Sequence, residues 1–507
     1  MIGVSRAERA RRVVRNKADN ALTRKTNPRG AGRGKRAAFA AFAFLARSLQ
    51  QISTFIITLL AARFLLPAEY GVYSLAVVFV TLIQTMTYTG FYHFIVTSKE
   101  EDADVLSTSF WMLTGLAGGA SVLLMALSYP IAALFDAPDL GPVLLSLAAI
   151  QPLAGVTAWY SAVLLRRQKI QLHFVIMFLQ NAMALVAGVV LVWLWQSLFA
   201  LVVYRAVRVL SALFLYLVFA RSGPGLRFDR ALAQRALSYS AGLYGSRFMG
   251  FLSRYSGDLL MGLLFTTAEA GLYRFGNRVA SGATDVVAQP MQSFALTQFG
   301  AANRQDKPMG PVLTRFVGSV IMLTGWVACI IIVFSATVVG TYFNEAYLAG
   351  IGVAYAMAAR GVLNAGFLLS TPAMSAKGRT GVLMVLNTAT ALSVIAAVTV
   401  SAPFGLAALA WAQTAVTFGA TVASLVLMRR KADIAIYGAF LALAKALVLI
   451  STYGVVLWIL WGALQGATDW GVGLTLTAGL AMSVVLALPT FYIATKLRVF
   501  TLAVFSG

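Results

Sequence analysis

The hexapeptide Ala68-Glu69-Tyr70-Gly71-Val72-Tyr73 returns as Ala268-Glu269-Ala270-Gly271-Leu272-Tyr273, an offset of 200 residues. At the same offset Arg47 meets Arg247, Ser53 meets Ser253, and Leu59-Leu60 meets Leu259-Leu260. Each copy sits in a tight turn between two long apolar runs. A turn needs Gly for its backbone freedom, and an acid suits the first turn of the helix that follows. Those rules alone explain one such turn. The matched Arg in the preceding run points to a duplicated unit.

Working outward, apolar runs of about 20–28 residues alternate with short hydrophilic breaks, which is the pattern of membrane-spanning helices. Fourteen spans are expected: 38–62, 69–94, 108–135, 140–165, 172–195, 198–220, 235–262, 269–297, 313–341, 346–373, 381–400, 404–428, 437–462 and 470–493. Twelve is the competing count, because closely spaced pairs such as 172–195 and 198–220 are hard to separate. Composition agrees with the spans. The chain is 60% hydrophobic and only 11% charged, too little polarity to build a water-facing surface, so a soluble enzyme is excluded. Aromatic residues at 12% exclude a disordered polycation.

The repeat offset covers six spans, so both halves start on the same side of the membrane, as in parallel-repeat transporters. The expected fold is all-α: two six-helix lobes, 37–230 and 231–430, facing each other across a central cavity. Two further helices lie in 431–507, and 1–36 form a basic, disordered cytoplasmic tail. The stretch Asn27-Pro28-Arg29-Gly30-Ala31-Gly32-Arg33-Gly34 is expected to break any helix there.

The net charge of +23 reads mainly as topology. Breaks after even-numbered spans, with the span ends that border them, hold eighteen basic residues, and those after odd-numbered spans hold only Arg63. By the positive-inside rule both termini are cytoplasmic, and the tail is an anchor helped by anionic membrane lipids. Nucleic acid is not an expected partner. The acidic run Glu100, Glu101, Asp102 and Asp104 reads as a solvated loop.

Nine basic residues lie well within the expected spans, away from their ends: Arg47, Arg205, Arg208, Arg247, Arg254, Arg274, Arg278, Arg360 and Lys445. Only two acids, Asp258 and Asp285, join them there. A charge at mid-bilayer costs at least roughly 2.5–3.5 kcal/mol, so these residues must face protein or a wet cavity. Helical spacing gathers them. Arg247, Arg254 and Asp258 fall within about 40° on one face at 100° per residue. Arg274, Arg278, Ser281 and Asp285 form a second stripe, and Arg47, Gln51, Thr54 and Thr58 a third.

Counted from the membrane ends, Arg247 matches Asp285 in depth, and Asp258 matches Arg274. Both pairs read equally as structural salt bridges. Lys445 snorkels toward the inner face. The cations left over would repel one another unless an anion visits, which favours a phosphate or diphosphate substrate held by forked Arg contacts. The anion-binding candidates are Arg47, Arg247, Arg254, Arg278 and Arg360, with Arg205, Arg208 and Arg274 as second choices. Asp258 and Asp285 are the ion-coupling candidates, able to titrate beside mobile cations. Pro290 is expected to kink its helix, as a gate or as a tolerated membrane proline. Cys329 is the single cysteine, and His93 and His173 are far apart, so neither a disulfide nor a metal cage is expected. No nucleotide-binding loop or catalytic constellation is visible, and no cofactor is expected.

The stretch Ala62-Arg63-Phe64-Leu65-Leu66-Pro67-Ala68-Glu69-Tyr70-Gly71-Val72-Tyr73-Ser74-Leu75-Ala76 resembles the opening motif of bacterial Wzx-type polysaccharide-repeat flippases, in the multidrug/oligosaccharidyl-lipid/polysaccharide exporter superfamily. Ser107-Thr108-Ser109-Phe110-Trp111-Met112 and Gly271-Leu272-Tyr273 are similar to that family too. The resemblance covers about residues 38–495; the basic tail departs from it. It implies a non-enzymatic transporter of the bacterial inner membrane. Such a protein moves a polyprenyl-diphosphate-linked oligosaccharide between leaflets by alternating access, for exopolysaccharide, capsule or O-antigen export. It also implies an ion gradient as driver, and polysaccharide polymerase and export proteins as partners. For Arg63 and Glu69 it implies a structural role. The alternatives are a lipid II flippase or drug exporter of the same superfamily, and a membrane polymerase or ligase.

Overall fold

The computed structural model describes residues 32–98, 102–220, 223–467 and 470–501. Among them the regular structure is helical throughout. The first half contains α1 (Gly32–Phe64), α2 (Pro67–Thr87), α3 (Thr89–Thr97), α4 (Asp102–Leu134), α5 (Leu140–Ala149), α6 (Gln151–Arg166), α7 (Ile170–Trp195) and α8 (Leu198–Phe219). The second contains α9 (Arg230–Leu264), α10 (Thr267–Arg304), α11 (Gly310–Tyr342), α12 (Ile351–Leu363), α13 (Ala365–Ala376), α14 (Thr380–Ser401) and α15 (Leu406–Ala432). Helices α16 (Tyr437–Ala467) and α17 (Val472–Lys496) follow.

Eleven stretches among the described residues are long and apolar enough to cross a membrane, fewer than the fourteen expected. The other three expected spans fall on α1, α9 and α10. The last two carry Arg247, Arg254, Asp258, Arg274, Arg278 and Asp285 along their middles, which lowers their apolarity. Three expected spans are each built of two helices, broken at Tyr88, Ile150 and Asn364. The close pair 172–195 and 198–220 is two helices. Gln196 takes a left-handed φ of 46° between them, and the Ser197 hydroxyl caps α8 by accepting from Phe199 N. Side chains such as Leu194 (69% exposed), Val448 (67%) and Leu488 (68%) cover the outside. So apolar an exterior suits lipid, and the protein is a multi-pass membrane protein.

Several local expectations are corrected. Helix α1 is already helical at Gly32, the first described residue and one inside the stretch expected to break it. Helix α10 extends over 38 residues with Pro290 inside it, so the proline does not end the helix. Asp102 and Asp104 fall within α4 rather than in a loop. The tail up to residue 31 and Glu100 and Glu101 lie outside the described residues.

Helices α1–α8 pack chiefly among themselves, as do α9–α17; contacts between the sets run mainly through α9 and α10 against α1–α4. The repeated motif lies at that junction. Glu69 caps α2 by accepting from Leu66 N at 2.9 Å, and Glu269 caps α10 by accepting from Thr266 N at 3.0 Å. Leu66 has no side-chain acceptor, whereas the Thr266 hydroxyl accepts in return from Glu269 N and completes a capping box. Beside this junction Arg63 donates to the Tyr342 carbonyl at 3.3 Å, and Asn344 N donates to the Ala62 carbonyl at 3.2 Å.

Candidate functional site

A polar cavity of about 320 Å³ opens between the two sets of helices. Helix α9 supplies Arg254, Tyr255 and Asp258, one turn apart on one face. Helix α10 supplies Tyr273, Arg274, Arg278, Ser281 and Asp285 at successive turns, α12 supplies Arg360, and α1 supplies Gln51.

Within it, one carboxylate is committed. Arg274 Nη1 donates to Asp258 Oδ2 at 2.6 Å, and its guanidinium lies 5.9 Å from the centre of the Tyr255 ring. The pairing of Asp258 with Arg274 expected from depth is therefore present. The second oxygen of Asp258, Oδ1, is buried without a hydrogen-bond partner among the described residues.

The other carboxylate is shared. Asp285 lies within electrostatic reach of Arg254, Arg278 and Arg360 and forms a close salt bridge with none of them among the described residues. The expected Arg247–Asp285 pair is corrected: Arg247 is exposed and does not line this cavity. It lies seven residues before Arg254, nearly two turns along α9, so a shared helix face still leaves it about 10 Å away along the axis.

The remaining donors are held by neutral groups. Arg278 Nη2 donates to Gln51 Oε1 at 3.4 Å, while its Nε is buried without a partner. Arg360 Nη1 donates to Gln413 Oε1 at 3.2 Å, and the Tyr273 hydroxyl donates to the same oxygen at 2.9 Å. Amide partners orient a guanidinium without cancelling its charge, so three cations share one carboxylate. Such a cavity can receive an anion with forked contacts from more than one side.

Two second-choice residues stand elsewhere. Arg205 and Arg208 line a separate cavity of about 230 Å³ in the first half, together with Tyr88, Ser161, His173 and Gln180. They sit on α8, which packs inside the first set of helices rather than on α9 or α10. The side chains of Arg47 and His93 lie outside the described ones. His173 is buried with Nδ1 3.3 Å from the Ser161 hydroxyl. Cys329 Sγ lies 3.6 Å from the Ile450 carbonyl. No group of three His, Cys, Asp or Glu side chains suited to a metal ion occurs among the described residues.

Sequence reasoning missed Gln413 and the site role of Tyr273. A lone glutamine within an apolar helix was the available signal for the first. Tyr273 was visible as the last residue of the repeat, but only the fold joins it to Gln413.

Solved structures with this arrangement define the class of fold. The lipid II flippase MurJ, in an inward closed conformation, matches with a TM-score of 0.72 at 12% identity, over 91% of this chain and 99% of that one. An inward-facing multidrug resistance MATE family transporter of the MOP superfamily matches with a TM-score of 0.62 at 10% identity, over 78% and 96%. Among curated proteins, the succinoglycan biosynthesis transport protein ExoT of Rhizobium meliloti is 25% identical over 275 residues, 53% of this chain and 55% of that protein. The chain thus matches about half the length of that relative. A family model described as polysaccharide biosynthesis protein matches residues 60–351, and the chain belongs to that family. The resemblance read from residues 62–76 is borne out.

Proposed function

We propose that the protein is a flippase that moves a polyprenyl-diphosphate-linked oligosaccharide repeat across the bacterial cytoplasmic membrane for exopolysaccharide, capsule or O-antigen export. The observation that carries this is the cavity in which Arg254, Arg278 and Arg360 surround the single shared carboxylate of Asp285. A diphosphate supplies the negative charge these guanidinium groups lack, while the sugar stays in the wet cleft and the polyprenyl tail in lipid. Membership of the polysaccharide biosynthesis family and likeness to a succinoglycan transport protein support the reading. So does a fold shared with MurJ and a MATE transporter.

In this reading the lobes 37–230 and 231–430 rock against each other, with both termini cytoplasmic. Arg254, Arg278 and Arg360 hold the diphosphate, with Arg47 as a further anion contact, and Arg247 guides it from outside the pocket. Arg274 positions Asp258, and Asp258 and Asp285 take the coupling ion. No bond in the substrate is made or broken.

The test is the leaflet in which lipid-linked repeats accumulate when the protein is absent. A flippase strands them in the inner leaflet. Accumulation of single repeats in the outer leaflet means a polymerase or ligase instead, and arrested peptidoglycan synthesis means a lipid II carrier.

A further inference from the structure

The Arg205–Arg208 cavity and the central one both border a third. An intermediate cavity of about 410 Å³ shares Gln51, Asp285 and Gln289 with the central pocket and Met177 with the Arg205–Arg208 pocket. Ser48, Gln50 and Ser293 give that intermediate cavity polar groups among its apolar lining.

The second pocket is not a copy of the first. Arg205 holds the same place in α8, counted from Leu198, as Gln413 holds in α15, counted from Leu406. Tyr73 and Tyr273 are equivalent in the repeat, so the nearness of Arg205 to Tyr73 corresponds to that of Gln413 to Tyr273. Where the second half places a neutral amide, the first half places a cation. Conversely, Arg274, Arg278 and Asp285 correspond to Ser74, Val78 and Thr85. The two pockets thus carry different charges at matching positions of the repeat.

Arg205 lies within electrostatic reach of Tyr73, and Arg208 within reach of Tyr204. No carboxylate lies within salt-bridge distance of either among the described residues. One turn apart, the two guanidinium groups suit one carboxylate. The Gln180 side-chain oxygen is buried nearby without a partner, an open acceptor for a hydroxyl. A carboxylate and a hydroxyl on one small ring describe an acidic sugar.

We propose that the pocket at Arg205 and Arg208 is a second anion subsite, which takes a sugar carboxylate of the carried glycan while the central pocket holds the diphosphate. It follows that the transported repeat is acidic. The inference rests on the flippase reading above for the role of the central pocket.

The test measures binding to the purified full-length chain in nanodiscs. The probes are cellobiuronic acid, its neutral counterpart cellobiose, geranylgeranyl diphosphate and sodium chloride. The wild-type chain is expected to prefer the acidic disaccharide by about tenfold. Arg205→Gln with Arg208→Gln removes that preference and leaves geranylgeranyl diphosphate affinity in place, which also shows that the variant folds. Arg360→Gln does the reverse. Equal affinity for the two disaccharides in the wild type, or a preference that survives the double substitution, overturns the proposal. Chloride occupying the pocket with no acid preference assigns it to a free anion and overturns it too. An Arg205/Arg208-dependent preference in a chain that ignores geranylgeranyl diphosphate upholds this subsite and removes the diphosphate reading.

Discussion

Gly71 and Gly271, equivalent residues of the internal repeat, pack backbone to backbone where α2 meets α10. A Cβ on Gly71 would overlap the Thr267 carbonyl oxygen and lie 2.9 Å from Gly271 N. One on Gly271 would overlap the Pro67 carbonyl oxygen and lie 3.0 Å from Gly71 N. Residue 67 is to 267 as 71 is to 271, so the contact is reciprocal, as a pseudo-two-fold axis through the pair requires.

Gly71→Val or Gly271→Val is therefore expected to hold that end of the bundle apart. The expected result is a protein that inserts normally but exports no polysaccharide. A cysteine placed at Ser281, in the central cavity, should become reactive from the outside. Full export by both variants would show that the close approach is dispensable.

Arg254 and Arg247 share a helix face but not a location. Arg254→Gln is expected to weaken geranylgeranyl diphosphate binding about tenfold, the worth of one charge-assisted contact. Arg247→Gln should leave it nearly unchanged. Equal losses in the two would move the anion site away from the pocket lined by Arg254, Arg278 and Arg360.

Asp258→Asn removes the partner of a largely buried guanidinium. Breaking a buried pair in this way costs about 3–5 kcal/mol, so the Tm in detergent should fall clearly. Asp258→Leu combined with Arg274→Met should recover much of the loss, because both desolvated charges are then gone. An additive double variant would show that the 2.6 Å contact contributes nothing.

Gln413 accepts from both Arg360 and Tyr273. Gln413→Leu is expected to release the Arg360 guanidinium and weaken diphosphate binding several-fold. Tyr273→Phe should do less, since Gln413 still receives Arg360. Titration of both variants with geranylgeranyl diphosphate separates the two cases.

Much of this was legible before any coordinates. Apolar runs mark helices because a lipid-embedded backbone must satisfy its own hydrogen bonds. Helical periodicity put Arg254 with Asp258, and Arg274 with Arg278 and Asp285, because side chains three or four residues apart share a face. Depth counting found the Asp258–Arg274 pair, whose two helices are joined by a tight turn that keeps them in register.

Periodicity names a face but not what that face meets. Arg247 lies on the face of Arg254 yet outside the cavity, and Arg205 and Arg208 open into a different chamber. The link from Tyr273 through Gln413 to Arg360 joins three helices far apart in the chain. Gly71 and Gly271 were readable as turn residues, because a turn is local and its chemistry is written in neighbouring positions. That the same glycines let the two halves touch depends on how the halves dock, and docking is settled by contacts between residues the chain separates by two hundred positions.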